Sequence, residues 1–215
     1  MLRRAAAVLL DVQDYELKAG IRSDTDANGN VVGQVFLCDT LENGAGYATH
    51  LGEPSVTEQL LRMIAEPGPL EFNDRLVAAL HAQACDTSCP DCLRSYSNLA
   101  YHSVLDWRLA IDMAQLALDA AAPITLASSL WSRIAATASL TLAAARPGYS
   151  RAAIAGLPAV TNGRDVIILL HPLWLADRGT PEVSAAWDDA ERLHALTIDP
   201  AGSFMSVFEA LRRPI

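Results

Sequence analysis

No apolar stretch in this 215-residue chain approaches the roughly 20 residues that span a bilayer. The most apolar stretches, Ala114 to Ala122 and Val166 to Leu170, are far shorter, so no membrane segment is expected. The first residues lack the charged, apolar and small-residue zones of a secretory signal. Cysteine is scarce, with four residues of which three are clustered, which argues against a secreted disulfide framework and for the cytoplasm. Basic residues are also too few. Sixteen Lys and Arg stand against 25 Asp and Glu, a net charge of −9, which disfavours non-specific attraction to phosphate backbones. Any nucleic-acid contact must be local or supplied by a partner. There is no Gly-x-x-x-x-Gly-Lys-Ser/Thr, no Gly-x-Ser-x-Gly and no His-Glu-x-x-His, so the usual nucleotide-hydrolase, esterase and metalloprotease signatures are missing. Internal repeats and low-complexity linkers are absent too.

At 23.0 kDa the chain is long enough to bury about 70% of its extended surface in a real core. Leu2 to Leu10 predicts a short helix. Glu16 to Arg22 and Val31 to Asp39 predict strands joined across Asp26-Ala-Asn28-Gly29-Asn30, whose residues tolerate positive φ. A helix around Val56 to Ala65 is broken by Glu66-Pro67-Gly68-Pro69, and a further helix over Arg75 to Ala84 delivers the chain to the cysteines. Asp106 is placed to cap a helix running to about Ala120. Ser128 to Ala144 predicts an Ala-rich helix ended by Arg146-Pro147-Gly148. Val166 to Leu170 has the unbroken apolar character of a strand covered on both faces. Pro181 opens another helix, and Phe204 to Arg212 predicts a short terminal one. The expected fold class is α+β: a helix-rich single body with an N-terminal β-hairpin, a cysteine knuckle between helices and a short C-terminal strand and helix portion. Residues 1–145 form its main part, and 146–215 an α/β extension packed on it.

The most informative segment is Cys85-Asp-Thr-Ser-Cys89-Pro-Asp-Cys92. Three thiolates in eight residues, with Pro90 to shape the turn, can reach one Zn²⁺ at about 2.3 Å in tetrahedral array. The fourth ligand has three candidates. His102, ten residues after Cys92, is the leading one, since Cys₃His is an established structural set. Cys38 would tie the hairpin to the knuckle. His81, four residues before Cys85, would share a helix face with it. The loop Asn43-Gly44-Ala-Gly46 lacks the rest of any nucleotide-binding motif and is expected to be a tight turn. His50, His171 and His194 have no local partner pattern and are expected to be solvated or hydrogen-bonded.

Together with the knuckle, the segments Phe36-Leu-Cys38-Asp39-Thr-Leu-Glu-Asn-Gly44-Ala-Gly46-Tyr47, Cys92-Leu-Arg-Ser-Tyr96-Ser-Asn98 and Tyr101-His102-Ser-Val-Leu105-Asp106-Trp-Arg108-Leu-Ala110 resemble the MrfA-type zinc-binding domain. That domain lies at the C-terminal end of DEAD/DEAH-box DNA helicases and in relatives of DISARM phage-defence proteins. The resemblance is strongest over about residues 35–118, and His171-Pro172-Leu-Trp174 and Phe208 to Pro214 are similar to the tails of such helicases. It implies structural zinc on Cys85, Cys89 and Cys92. Members often carry a fourth cysteine soon after the knuckle, where this chain has Tyr96-Ser-Asn98. The ATPase motor of those helicases has no counterpart in this sequence, so the chain is expected not to be an enzyme. The resemblance instead implies an accessory module of a helicase motor domain or subunit, split from it or truncated, reaching DNA through that partner in DNA repair or phage defence. The alternatives are an autonomous metal-dependent hydrolase or nuclease, and a pure protein-interaction scaffold.

Overall fold

The structure, a computed structural model, describes residues 1–41, 44–193, 195–199 and 202–213. Asn43, His194 and Pro214, named above, lie outside the described residues. The chain forms two compact units, Met1–Ala122 and Pro123–Ile215. The division falls N-terminal of the expected 145/146 boundary, because the Ala-rich helix packs on the strands and last helix of the second unit. Acidic and basic residues are equal in number in the second unit, so the net charge of −9 rests on the first. Among the described residues, no helix is long and apolar enough to cross a membrane.

The first unit opens with α1 (Leu2–Leu10), whose Ala5, Ala6 and Ala7 are buried. The hairpin follows, β1 (Leu17–Thr25) pairing antiparallel with β2 (Val31–Asp39) from Leu17↔Asp39 to Thr25↔Val31. Its turn is built by Asp26, whose Oδ1 accepts the N–H groups of Asn28 and Asn30 at 2.9 and 2.8 Å, while Gly29 supplies the positive φ of 83°. Period-2 alternation puts Ala19, Ile21, Val31 and Val35 on one face of the hairpin, and Ile21, Val31 and Val35 stay exposed. α2 (Tyr47–Leu51) comes next. Ahead of it, the Asp39 carboxylate accepts Gly46 N–H and Ala48 N–H at 2.9 and 2.8 Å. α3 (Pro54–Ala65) begins with Pro at its first position, where the missing N–H would have no helical partner. It buries Leu60, Met63 and Ile64 and packs on α6 (Trp107–Leu118), which buries Ile111 and Ala114.

Where one helix was expected over Arg75 to Ala84 there are two, α4 (Phe72–Val77) and α5 (Ala79–Ala84). The break is at Ala78, whose ψ of 137° is extended rather than helical. It interrupts the ladder near Leu76, whose carbonyl is taken by a side chain instead. Asp106 caps α6 as expected, its carboxylate accepting the N–H groups of Arg108 and Leu109 at 2.8 and 3.2 Å.

In the second unit a four-stranded sheet has the order β3 (Ser150–Ile154), β4 (Leu157–Thr161), β5 (Val166–Leu170), β6 (Phe204–Ser206). The first three strands run antiparallel and β6 runs parallel to β5. β5 is buried at all five residues, as its apolar run predicts. α8 (Pro181–Leu193) brings Val183, Ala186 and Ala190 to a core with Val166, Ile168 and Leu170. Ile167 and Leu169 alternate to the other face, and α7 (Ser132–Ala145) and α9 (Val207–Arg212) also pack on β5. The helix expected from Phe204 begins three residues later. Phe204–Ser206 pairs with Ile168–Leu170, so tertiary pairing overrides local preference, and the Ser206 hydroxyl then caps α9.

Candidate metal centre

The end of α5 and the turn that follows bring four donor atoms together. The ligand atoms of His81, Cys85, Cys89 and Cys92 all lie within 4.8 Å of one another. Cys85 Sγ is 3.8 Å from Cys92 Sγ, Cys89 Sγ is 3.7 Å from Cys92 Sγ, and Cys89 Sγ is 3.5 Å from His81 Nε2. A tetrahedral zinc with sulfur at about 2.3 Å and nitrogen at about 2.0–2.1 Å requires edges of roughly 3.8 Å for S···S and roughly 3.6 Å for S···N. The three separations match those edges, so the residues present fit the ion. No cysteine is in a disulfide.

Local backbone chemistry makes this geometry. The Cys89 carbonyl accepts three successive N–H groups, from Cys92, Leu93 and Arg94 at 3.2, 3.0 and 2.9 Å. This tight reversal follows Pro90, whose ring fixes φ. The Cys89 N–H in turn donates to Cys92 Sγ at 3.1 Å, a contact that favours the thiolate. His81 Nδ1 lies 2.7 Å from the Leu76 carbonyl. A carbonyl only accepts, so the proton sits on Nδ1 and the Nε2 lone pair faces the thiols. Orientation of a ligand imidazole by a carbonyl on its other nitrogen is the usual support of such a site.

Burial, then the neighbouring Cys92 thiol, pushes the Cys85 thiol far above its ordinary value. Burial also raises Cys92. In the metal-free fold these groups therefore hold their protons at neutral pH, and a dication would reverse that by stabilising the thiolates. Three thiolates, a neutral imidazole and a dication carry a net charge of −1 and fill all four tetrahedral positions. Such a set is structural, because a catalytic zinc keeps one position for water or substrate. An open cleft of about 750 Å³ runs beside the cluster, lined by Arg4, Arg75, His81, Cys89 and Asp91 among others.

The other candidate ligands stand elsewhere. His102, expected first as the fourth ligand, places Nε2 3.1 Å from the Ser95 carbonyl and 2.8 Å from Asn98 Oδ1. Read as the amide oxygen, the second partner is an acceptor like the first, so this nitrogen carries a proton and offers no lone pair. His102 braces the 3₁₀ turn at Tyr96–Tyr101. Cys38 sits on β2 opposite Lys18 and is not one of the four. His50 is exposed beside Glu53 at 3.3 Å. His171 is buried against Trp131, the ring centroids 4.6 Å apart.

Comparison with known proteins gives one point of reference. The chain is similar to the Druantia protein DruE of Escherichia coli (strain UMEA 4076-1), 31% identical over 120 residues, which cover 53% of this chain and 6% of that protein. The chain thus spans a small part of its relative's length. No family profile matches it, and no solved structure matches it.

Proposed function

We propose that this chain is a structural zinc module, with His81, Cys85, Cys89 and Cys92 as its ligands, and that it is an accessory to a DNA helicase motor rather than an enzyme itself. The meeting of three cysteine sulfurs and one imidazole nitrogen within 4.8 Å of one another, three of their separations at tetrahedral edge lengths, carries the metal reading. A filled coordination shell supports a structural role over the hydrolase alternative, which needs an open position. Similarity to a protein of which the matched stretch is only 6% supports a part that works within or beside a larger machine. The helicase partner, in DNA repair or phage defence, rests on the resemblance described above. Metal analysis of the purified chain tests the core of this reading: one zinc per chain is expected, and a metal-free protein whose stability is indifferent to Cys85→Ser would refute it. Cobalt substitution tests the closed shell, since a four-coordinate spectrum insensitive to azide is expected and an exchangeable position would favour the hydrolase. Affinity capture with the tagged chain is expected to recover an ATP-dependent helicase, and recovery of other proteins alone would favour the scaffold.

A further inference from the structure

Two consecutive residues at the start of α6 hold three consecutive carbonyls of the metal turn. The Trp107 indole Nε1–H and the Arg108 Nη2–H both donate to the Cys85 carbonyl, each at 3.2 Å. Arg108 Nη1 donates to the Asp86 carbonyl at 2.6 Å. The Trp107 backbone N–H donates to the Thr87 carbonyl at 3.0 Å. The same Trp107 ring meets the His81 ring edge-on, centroids 5.2 Å apart. One dipeptide therefore touches the backbone of one metal ligand and the side chain of another.

The burial of Arg108 requires a reason. Its residue is 2% exposed, and an ionised side chain is costly to take from water unless it is paired and hydrogen-bonded. Its guanidinium lies over the Trp107 ring at 4.5 Å and 3.4 Å from Asp106 Oδ2. A Leu or Met would fill the same space more cheaply, but neither would grip two carbonyls at fixed angles. The planar fork of Arg does, and a Lys ammonium does not reproduce it.

We infer that Trp107 and Arg108 are positioning residues of the metal centre. They hold the Cys85–Thr87 backbone and the His81 ring in the arrangement the ion needs, so that affinity for zinc is set from α6, 22 and 23 residues along the chain from Cys85. This inference rests on the metal reading above and extends it to residues that touch no metal.

The test uses the full chain in four forms: wild type, Trp107→Phe, Arg108→Lys, and Ile111→Val as a control in the same helix that leaves the turn untouched. Chelator competition is expected to show zinc bound roughly 10–100-fold more weakly by Trp107→Phe and Arg108→Lys, the range for loss of ligand-orienting contacts, with the control within about threefold. Cobalt(II) spectra add a readout that general destabilisation does not move. The two variants are expected to keep the charge-transfer bands of three thiolates while the ligand-field bands shift and broaden, and the control spectrum is expected to match wild type. Zinc held by both variants within threefold of wild type, with unaltered cobalt bands, overturns the inference. Should Arg108→Lys fail to fold, Trp107→Phe decides alone through its cobalt spectrum, since it keeps an aromatic ring and loses the indole N–H together with some buried volume. A wild-type chain that binds no zinc would instead overturn the metal reading itself.

Discussion

His81 reaches back across the break at Ala78 to place its Nδ1 2.7 Å from the Leu76 carbonyl. The kink and the aim of the imidazole are thus one device, since the helix is interrupted where a carbonyl takes the Nδ1 proton.

That device predicts opposite outcomes for two histidines. His81→Ala is expected to weaken zinc binding by more than about 100-fold, exceeding the loss seen for outer contacts. His102→Ala is expected to keep one zinc per chain, because its Nε2 is occupied by Ser95 and Asn98. Metal stoichiometry after dialysis against a weak chelator separates the two.

Removal of the ion is expected to lower the melting temperature, because binding to the folded state alone stabilises it by about 4 kcal/mol when free metal is a thousand times the dissociation constant. Calorimetry with and without a strong chelator measures this. Equal melting temperatures would remove the structural role.

Zinc affinity is expected to rise with pH. Cys85 and Cys92 keep their protons at neutral pH in the metal-free fold, so each must be displaced, up to about tenfold in affinity per pH unit per proton. Titrations at pH 6 and pH 8 in two buffers of different ionisation enthalpy would count the protons. The metal-free fold behaves in the opposite sense. Its raised thiols favour folding fully below the ordinary thiol value of 9.0, and that contribution is lost as pH climbs above it, where the unfolded chain ionises first.

Asp106 is expected to matter as a cap. Asp106→Ala removes the acceptor for two N–H groups of α6 and is expected to cost about 1 kcal/mol for the cap itself, with more if the Arg108 pairing suffers. Asp106→Asn, which keeps an acceptor oxygen, should recover the cap portion. Urea denaturation of zinc-loaded protein measures both.

The knuckle cysteines are legible in the sequence because their spacing is local, and so are the hairpin and the buried strand at Val166–Leu170, whose signals are the turn residues Asp26 to Asn30 and an unbroken apolar run. The choice among ligands was less so. His81 and His102 are both near the cysteines in sequence, and what separates them is a backbone break at Ala78 and the hydrogen-bonding of Asn98, neither of which has a spacing signature. Ser150–Ile154 and Leu157–Thr161 are hard to read as strands from sequence because the first carries Ala152-Ala153 in place of β-branched residues, the second carries Pro158, and Ala155-Gly156 joins them. Both turn residues take positive φ, 47° and 80°, and Asp189 accepts the Ala155 N–H from across the unit. The contacts of Trp107 and Arg108 with residues 22 and 23 positions earlier are tertiary, and no local pattern announces them.

The unequal division of charge between the two units has a kinetic side. The unit that bears the His81, Cys85, Cys89 and Cys92 cluster also bears all of the net negative charge, a field expected to draw dications in and to slow the approach of polyanions. Zinc capture should therefore be fastest at low ionic strength and fall as added salt shortens the Debye length from about 30 Å at 0.01 M to about 8 Å at 0.15 M. The loading rate of the module, not only its affinity, thus responds to the salt around it.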